Sequence, residues 1–401
     1  MRCGVAPIPS RCTIEIFGCS HLGRPIMAVT FGCLQSSGHS HGLPLRLSAL
    51  PSTPSAVTAR ATSEPETSMR PPWVVIPFYQ KRPGILPRAV SSALVQEGID
   101  DVRIIVVDNL SPIAASVDLA ELVAAHPGRI HIMTCSRRGP GAARNTALDS
   151  LPSDVEYVAF LDSDDEWRPD HLRHAVDALS HGFDFYFSDF YHLGQSVSAF
   201  QRAGRLDPAQ HRRLRANAAY YEYVGSMFNQ ILTGNVIGTS TVVFRRAPCR
   251  EIRFEEEYSR AGEDYLFWLE VCARTSKFVF SSSVECQYGE GVNVYSGSGW
   301  GTEGSLERTY CELKYLKVIA HRYHLTGILA EHNRRHIRRL RRYFVADILH
   351  RLLHRRSIHP HVVLRQVGQD VWTGILFGPL VLAILWSALR TRWAGGGAVT
   401  R

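Results

Sequence analysis

From residue 73 the chain carries its apolar residues in two alternating patterns. The runs WVVIPFY (73–79), VRIIVVD (102–108), YVAFL (157–161) and DFYFSD (184–189) are short and dominated by apolar and aromatic side chains. A strand with one wet face alternates in polarity, so runs of this kind predict strands covered on both faces. Between them, residues 86–97, 113–125, 141–148 and 169–179 space their apolar side chains three and four apart, the repeat of an amphipathic helix. RIHIMT (129–134) reads as a further, more polar strand. Strands alternating with helices predict the α/β class, with a mixed, mostly parallel, Rossmann-like sheet flanked by helices.

The pattern loosens over residues 190–235. It resumes with GTSTVVFRR (238–246), a further predicted strand, and EDYLFWLEVCART (263–275), a helix opened by two acids. A glycine-rich loop, residues 288–302, precedes a helix predicted over 306–320. In residues 334–353, Ile337, Leu340, Phe344, Ile348 and Leu352 keep helical spacing, while Arg334, Arg338, Arg341 and Arg342 take other faces. Residues 371–389 hold no charge and are just long enough to span a bilayer. Arg365 and Arg390 flank them, and Trp372 and Trp386 stand near the ends as interfacial anchors would. Gly378 and Pro379 interrupt the run, so helices lying in the membrane interface, or a helix closing the core, fit it as well. Residues 1–70 are rich in Pro, Ser, Gly and His, the composition of a disordered lead. Three regions are therefore expected: the lead 1–70, an α/β domain 71–305, and a helical, membrane-associating region 306–401.

Charge and cysteine content sharpen this division. Residues 321–356 hold ten Arg against Glu331 and Asp347, and this segment accounts for the whole net charge of +8. Basicity confined to one segment beside an apolar one argues against nucleic-acid binding and for anionic headgroups. Nine cysteines without a CxxC pair or Cys/His zinc spacing suit a reducing compartment. No secretory signal pattern opens the chain, so the expected location is the cytoplasmic face of a membrane.

The candidate chemistry centres on YVAFLDSDDEW (157–167), where a buried strand breaks into Asp162, Asp164 and Asp165. The carboxyl edge of an open α/β sheet is where ligands bind, and a hard divalent cation relieves the repulsion among clustered carboxylates. One Asp suffices to cap the following helix, and Asp165 or Asp170 would serve. Asp108 also ends a strand, where it can accept from a base or ribose; with Asn109 it suits turn chemistry equally well. Tyr79, two residues past Pro77, is placed to stack on a base or to pack at the sheet rim. RRGPGAARN (137–145) combines free N–H groups at a helix start with Arg144, which suits a diphosphate or carboxylates. Its Gly139-x-Gly141, with Asp162 downstream, also approaches dinucleotide-fold spacing and so admits an NAD(P)-dependent oxidoreductase. Arg144 at the third glycine position tells against that reading. Glu263 and Asp264 either supply a general base or simply favour a helix N-terminus.

Taken in order, VVIPFY, VRIIVVDN, GAARNTAL, FLDSDD, TSTVVFRR and GEDYLFW resemble the inverting family 2 glycosyltransferases of GT-A fold, over residues 73–275. The resemblance implies a nucleotide-sugar donor, usually UDP-linked, and Mn²⁺ or Mg²⁺. It implies that Tyr79 and Asp108, with Pro77 beside them, hold the base, and that Arg144 braces the acidic centre. Asp162 would contact ribose or metal, Asp164 would be the main metal ligand, and Asp264, beside Glu263, would deprotonate the acceptor. Asn109 departs from the family, which often has a second Asp there. Without a QxxRW motif, single-sugar transfer is implied, and Trp300 is a candidate to close over the sugar. The membrane-associating tail suggests a lipid-linked or cell-surface glycan acceptor. The alternative is a membrane-attached nucleotide-sugar-binding protein without catalysis, which would have no use for Asp264 as a base.

Overall fold

The computed structural model describes residues 71–215, 218–258, 261–292 and 299–395, with side chains to residue 387. The lead 1–70 and residues 293–298 of the glycine-rich loop lie outside the described residues. The chain opens with β1 (Trp73–Phe78), α1 (Ile85–Leu94) and β2 (Arg103–Asp108). Two short helices follow, α2 (Ala115–Asp118) and α3 (Ala120–Ala125), in place of the single helix expected over 113–125. Leu119 between them leaves helical geometry (φ −105°, ψ 8°) and buries its side chain. Next come β3 (Ile130–Thr134), α4 (Pro140–Ser150) and β4 (Tyr157–Phe160).

The less regular middle contains β5 (Glu166–Trp167), α5 (His171–Ser180), β6 (Phe185–Tyr191), α6 (Ala199–Ala203), β7 (Arg212–Arg213), β8 (Tyr220–Glu222) and α7 (Met227–Thr233). Of the strand expected over 238–246, only β9 (Val243–Arg245) forms. Thr239–Thr241 coil into a 3₁₀ turn instead, because both the N–H and the hydroxyl of Thr241 donate to Gly238 O, at 3.0 and 2.8 Å. α8 (Arg246–Cys249) and α9 (Glu263–Arg274) lead into β10 (Phe278–Gln287), a strand that the apolar pattern does not announce. Its FVFSSSVECQ places three serines mid-run, and its register against β6 shifts on both sides of Val284, as at a bulge.

One ten-stranded sheet results, in the order β3-β2-β1-β4-β9-β6-β10-β8-β7, with β5 paired to β10. β3, β2, β1 and β4 run parallel, as do β6 and β10. β9 is antiparallel to β4 and β6 on either side of it. In β1, Val74, Ile76 and Phe78 join the core on one face and Val75 the core on the other, which is why the run lacks alternation. Strand order reverses at β1, between β2 and β4, so the crevice outside their carboxyl ends is the expected ligand site.

The tail forms α10 (Ser305–Arg322), α11 (Gly327–Leu353), α12 (Pro360–Gln369), α13 (Val371–Ile375) and α14 (Phe377–Gly395). The described residues belong to one compact unit, in which Leu306, Leu313, Phe344, Ile348 and Val362 share a core with α4 and α9. Two of the arginines on α11 turn inward: Arg351 pairs with buried Asp347 (3.2 Å), and Arg341 with buried Asp370 (2.7 Å). The spanning reading of residues 371–389 is corrected. The run breaks at Leu376, since Pro379 in the first turn of α14 has no N–H to continue α13. Among the described residues no helix is long and apolar enough to cross a membrane.

Candidate active site

β4 ends at Phe160, and Asp165 N–H donates to Asp162 O (3.1 Å), closing a β-turn over Asp162–Asp165. The turn sends its three carboxylates to different partners. Asp162 meets Arg144, with Oδ1 2.5 Å from Nη2. Asp165 is buried and is not a helix cap. Its Oδ2 accepts from Ser240 Oγ (2.5 Å) and its Oδ1 from Gly289 N–H (3.0 Å). Ser240 Oγ in turn accepts Asp162 N–H (3.0 Å), so one hydroxyl joins both ends of the turn. Asp170 stands at the start of α5 without a side-chain capping bond.

Asp164 lies beneath the glycine-rich loop. A Cβ on Gly289 would stand 1.8 Å from Asp164 O, and one on Gly291 2.4 Å from Asp164 Cβ. Only glycine permits this approach. Gln80, just past β1, fastens the same loop: its Nε2 donates to Ser163 Oγ (3.0 Å) and its Oε1 accepts Val292 N–H (2.8 Å).

Arg144 projects from the second turn of α4 and is itself buried. Its guanidinium carbon sits 5.1 Å from the centre of the Phe254 ring, and Nη1 is 3.8 Å from Glu263 Oε1. Its Nε and Nη1 lack hydrogen-bond partners. Burial opposes its charge, but Asp162, Glu263 and Asp264 together hold its pKa above the ordinary value. One cation thus links the turn after β4 to the acid pair opening α9. Gly141 lets these elements close up, since a Cβ there would stand 3.1 Å from Phe254 Cβ and 3.6 Å from Glu263 Cγ. The glycines of 139–141 therefore serve packing and loop anchoring, with Gly139 N–H donating to Asn109 Oδ1 (2.9 Å). This corrects the dinucleotide reading.

The carboxylates outnumber their cation. Burial, and then Asp162, push Asp164 up to about 6. Burial and the charges of Asp162 and Asp164 push Asp165 well above the usual carboxylate range. Burial, and then Asp264, push Glu263 up to about 8. Burial also raises Asp264, with the Tyr265 N–H and Arg144 pulling the other way. Both members of the pair are thus held above the usual carboxylate range, and Glu263, near 8, favours its protonated form at neutral pH.

On the other side of β1 the picture differs. Pro77 is buried in β1, and Tyr79 is exposed at its end. Asp108 accepts from the N–H groups of Ser111 (2.8 Å) and Ala115 (2.9 Å), the turn chemistry weighed above, so each oxygen already has one partner. Asn109 donates to Cys135 O (2.9 Å) and Arg137 O (2.5 Å). An Asp has no N–H for those two carbonyls, which gives the departure at Asn109 a structural reason. Trp300 packs on His350 of α11, with ring centres 4.5 Å apart, while Gly289 and Gly291 are the loop residues over Asp164.

Among the described residues no group of three or more His, Cys, Asp or Glu is placed to hold a metal ion. Asp162 and Asp164 still crowd each other. A pair of carboxylates suits a Mg²⁺ or Mn²⁺ ion that completes its shell with water and phosphate oxygens rather than with a protein cage. Ser240, Gln80, Gly289 and Gly291 carry this geometry without a local sequence signal, because their partners lie 75 to 212 positions away.

The sequence model of glycosyl transferase family 2 matches residues 73–251. The succinoglycan biosynthesis protein ExoW of Rhizobium meliloti is 33% identical over 230 residues, 55% of this chain and 70% of that protein. The amylovoran biosynthesis glycosyltransferase AmsB of Erwinia amylovora is 29% identical over 214 residues, 52% of this chain and 64% of that one. The structure of S. aureus TarS 1-349 in complex with UDP-GlcNAc superposes with a TM-score of 0.47 at 17% identity, over 69% of this chain and 71% of that one.

Proposed function

The chain belongs to glycosyl transferase family 2 and is a glycosyltransferase; from that premise we propose that it moves one sugar from a UDP-sugar, with inversion, to a hydroxyl of a lipid-linked or cell-surface polysaccharide. The observation that carries this reading is Arg144. By touching Asp162 and Glu263 at once, it holds the acidic turn and the α9 carboxylates in a single crevice.

Asp264 takes the proton of the acceptor hydroxyl as that oxygen attacks the anomeric carbon. The bond from the same carbon to the diphosphate oxygen breaks, and the nucleoside diphosphate departs with the electron pair. A single displacement of this kind inverts the anomeric centre. Asp164, assisted by Asp162, would hold Mn²⁺ or Mg²⁺, which when bound neutralises charge on the diphosphate. Glu263, protonated beside Asp264, keeps the pair at one negative charge. Tyr79, exposed past the end of β1, would stack on the base, and Asp108 would accept from it through its remaining lone pairs.

Purified protein incubated with Mn²⁺ and a panel of UDP-sugars tests the reading. Donor turnover with release of UDP, and product of opposite anomeric configuration by NMR, is expected. UDP binding without any turnover would instead favour a binding protein.

A further inference from the structure

Where residues 371–389 break into two helices, they leave an apolar face toward solvent. Val371, Trp372, Ile375, Leu382, Leu385 and Trp386 are between 44% and 69% exposed. Their positions keep the helical repeat along α13 and along α14, whose first turn carries the exposed Gly378 and Pro379 on the same side. They therefore form one stripe, whereas Thr373 and Phe377 pack inward. A contiguous exposed stripe of this kind marks an interaction surface.

Beside it runs a ridge of opposite character. Arg334, Arg335, Arg338, Arg339 and Arg342 of α11 are exposed, and Glu331 is the single acid among them. Glu331 is shared by Arg334, Arg335 and Arg338, so the ridge keeps a large positive excess. α14 packs on α11, and Arg342 Nη2 reaches Ser387 Oγ (3.4 Å), next to Trp386, which places the ridge against the stripe.

We infer that α13, α14 and the arginine ridge of α11 form a docking surface for an anionic lipid membrane, onto which the protein lies without crossing it. Tryptophans near both ends suit the headgroup boundary, the leucines and isoleucine suit the acyl chains, and the guanidinium groups suit phosphate. A second copy of the chain is the poorer occupant, since a two-fold contact repeats one patch on both partners and would bring two arginine ridges together. The negative leaflet facing the cytoplasm is the surface that fits, and docking there would bring the enzyme to lipid-linked acceptors. The inference stands apart from the sugar-transfer reading, because its test reads lipid and not catalysis.

Flotation of the full chain with vesicles provides the test. Binding to phosphatidylcholine–phosphatidylglycerol vesicles, and not to phosphatidylcholine alone, is expected, weakening as KCl is raised. The double substitution Leu382→Glu/Trp386→Glu should weaken it about tenfold or more at unchanged melting temperature. Arg338→Glu/Arg342→Glu should remove the salt-sensitive part. No flotation with either vesicle, or flotation unaffected by Leu382→Glu/Trp386→Glu, overturns the inference. So does light scattering that finds a dimer which the same double substitution dissociates.

Discussion

Glu285 and Asp164 are both largely withdrawn from water near the carboxyl ends of parallel strands, yet the fold treats them oppositely. Glu285 accepts from His171 Nδ1 (3.0 Å), His174 Nδ1 (2.9 Å) and the Tyr186 hydroxyl (2.6 Å). Burial works against its charge, but hydrogen bonds from His171 and His174 bring its carboxyl down to about 2. Asp164 is pushed the other way, by burial and then by the neighbouring Asp162, to about 6. Glu263 goes further, to about 8, despite Arg144. A satisfied buried acid holds structure together. A cluster with more carboxylates than cations is held at a cost in stability, and such imbalance marks functional sites.

The contrast can be broken by paired substitutions. Asp264→Asn should lower transfer by about 10²–10⁴-fold, with UDP binding and melting temperature retained; transfer near the wild-type rate would remove Asp264 as the base. Glu285→Gln should do the reverse. It leaves the two imidazoles and the tyrosine without their acceptor charge, and a loss of about 3–5 kcal/mol in unfolding free energy is expected, with the donor affinity of the folded fraction little changed. Smaller again, Asp164→Asn should stabilise the ligand-free protein by about 1–3 kcal/mol, since it removes a carboxylate whose ionisation burial disfavours. A destabilised Asp164→Asn would mean that this acid is structural as well.

The two clusters should also differ in the sign of their pH dependence. Glu285 is held below its ordinary 4.5, so its stabilisation is complete above that pH and is lost as the pH falls toward 2. Glu263 is held above 4.5, so its penalty is absent in acid and becomes complete only above about pH 8. Urea unfolding should therefore show Glu263→Gln gaining on the wild type as the pH rises from 5 to 8. Over the same range Glu285→Gln should trail by a margin that narrows as the pH rises, because Glu285 raises the pKa of His174 and so stabilises its protonated form. Two variants on the same side of the wild type at pH 8 would erase the distinction.

The legible part of the molecule is the part whose information is local. β1, β2 and β4 are buried on both faces and announce themselves as unbroken apolar runs. The acids after Leu161 stand out because a buried strand cannot absorb them. β10 is hidden because Ser281–Ser283 fall at its bulge, yet it pairs with β6, β8 and β5. TSTVV at 239–243 carries strand propensity, but Thr241 closes on Gly238 and turns half of it into a coil. Asp165 looks like a cap from its neighbours and is a staple only because Ser240 and Gly289 arrive from distant sequence. Composition cannot tell a spanning run from a folded pair, and in 371–389 the position of Pro379 decides between them.

The central claim is that the turn after β4 grips a divalent ion only together with a nucleoside diphosphate. Calorimetric titration of UDP tests it most directly, with and without Mn²⁺, on the wild type and on Asp164→Ala. The account predicts tight binding for the wild type with Mn²⁺, weak binding without it, and no gain from Mn²⁺ in Asp164→Ala. Equal affinity and equal Mn²⁺ dependence in the two proteins would contradict it.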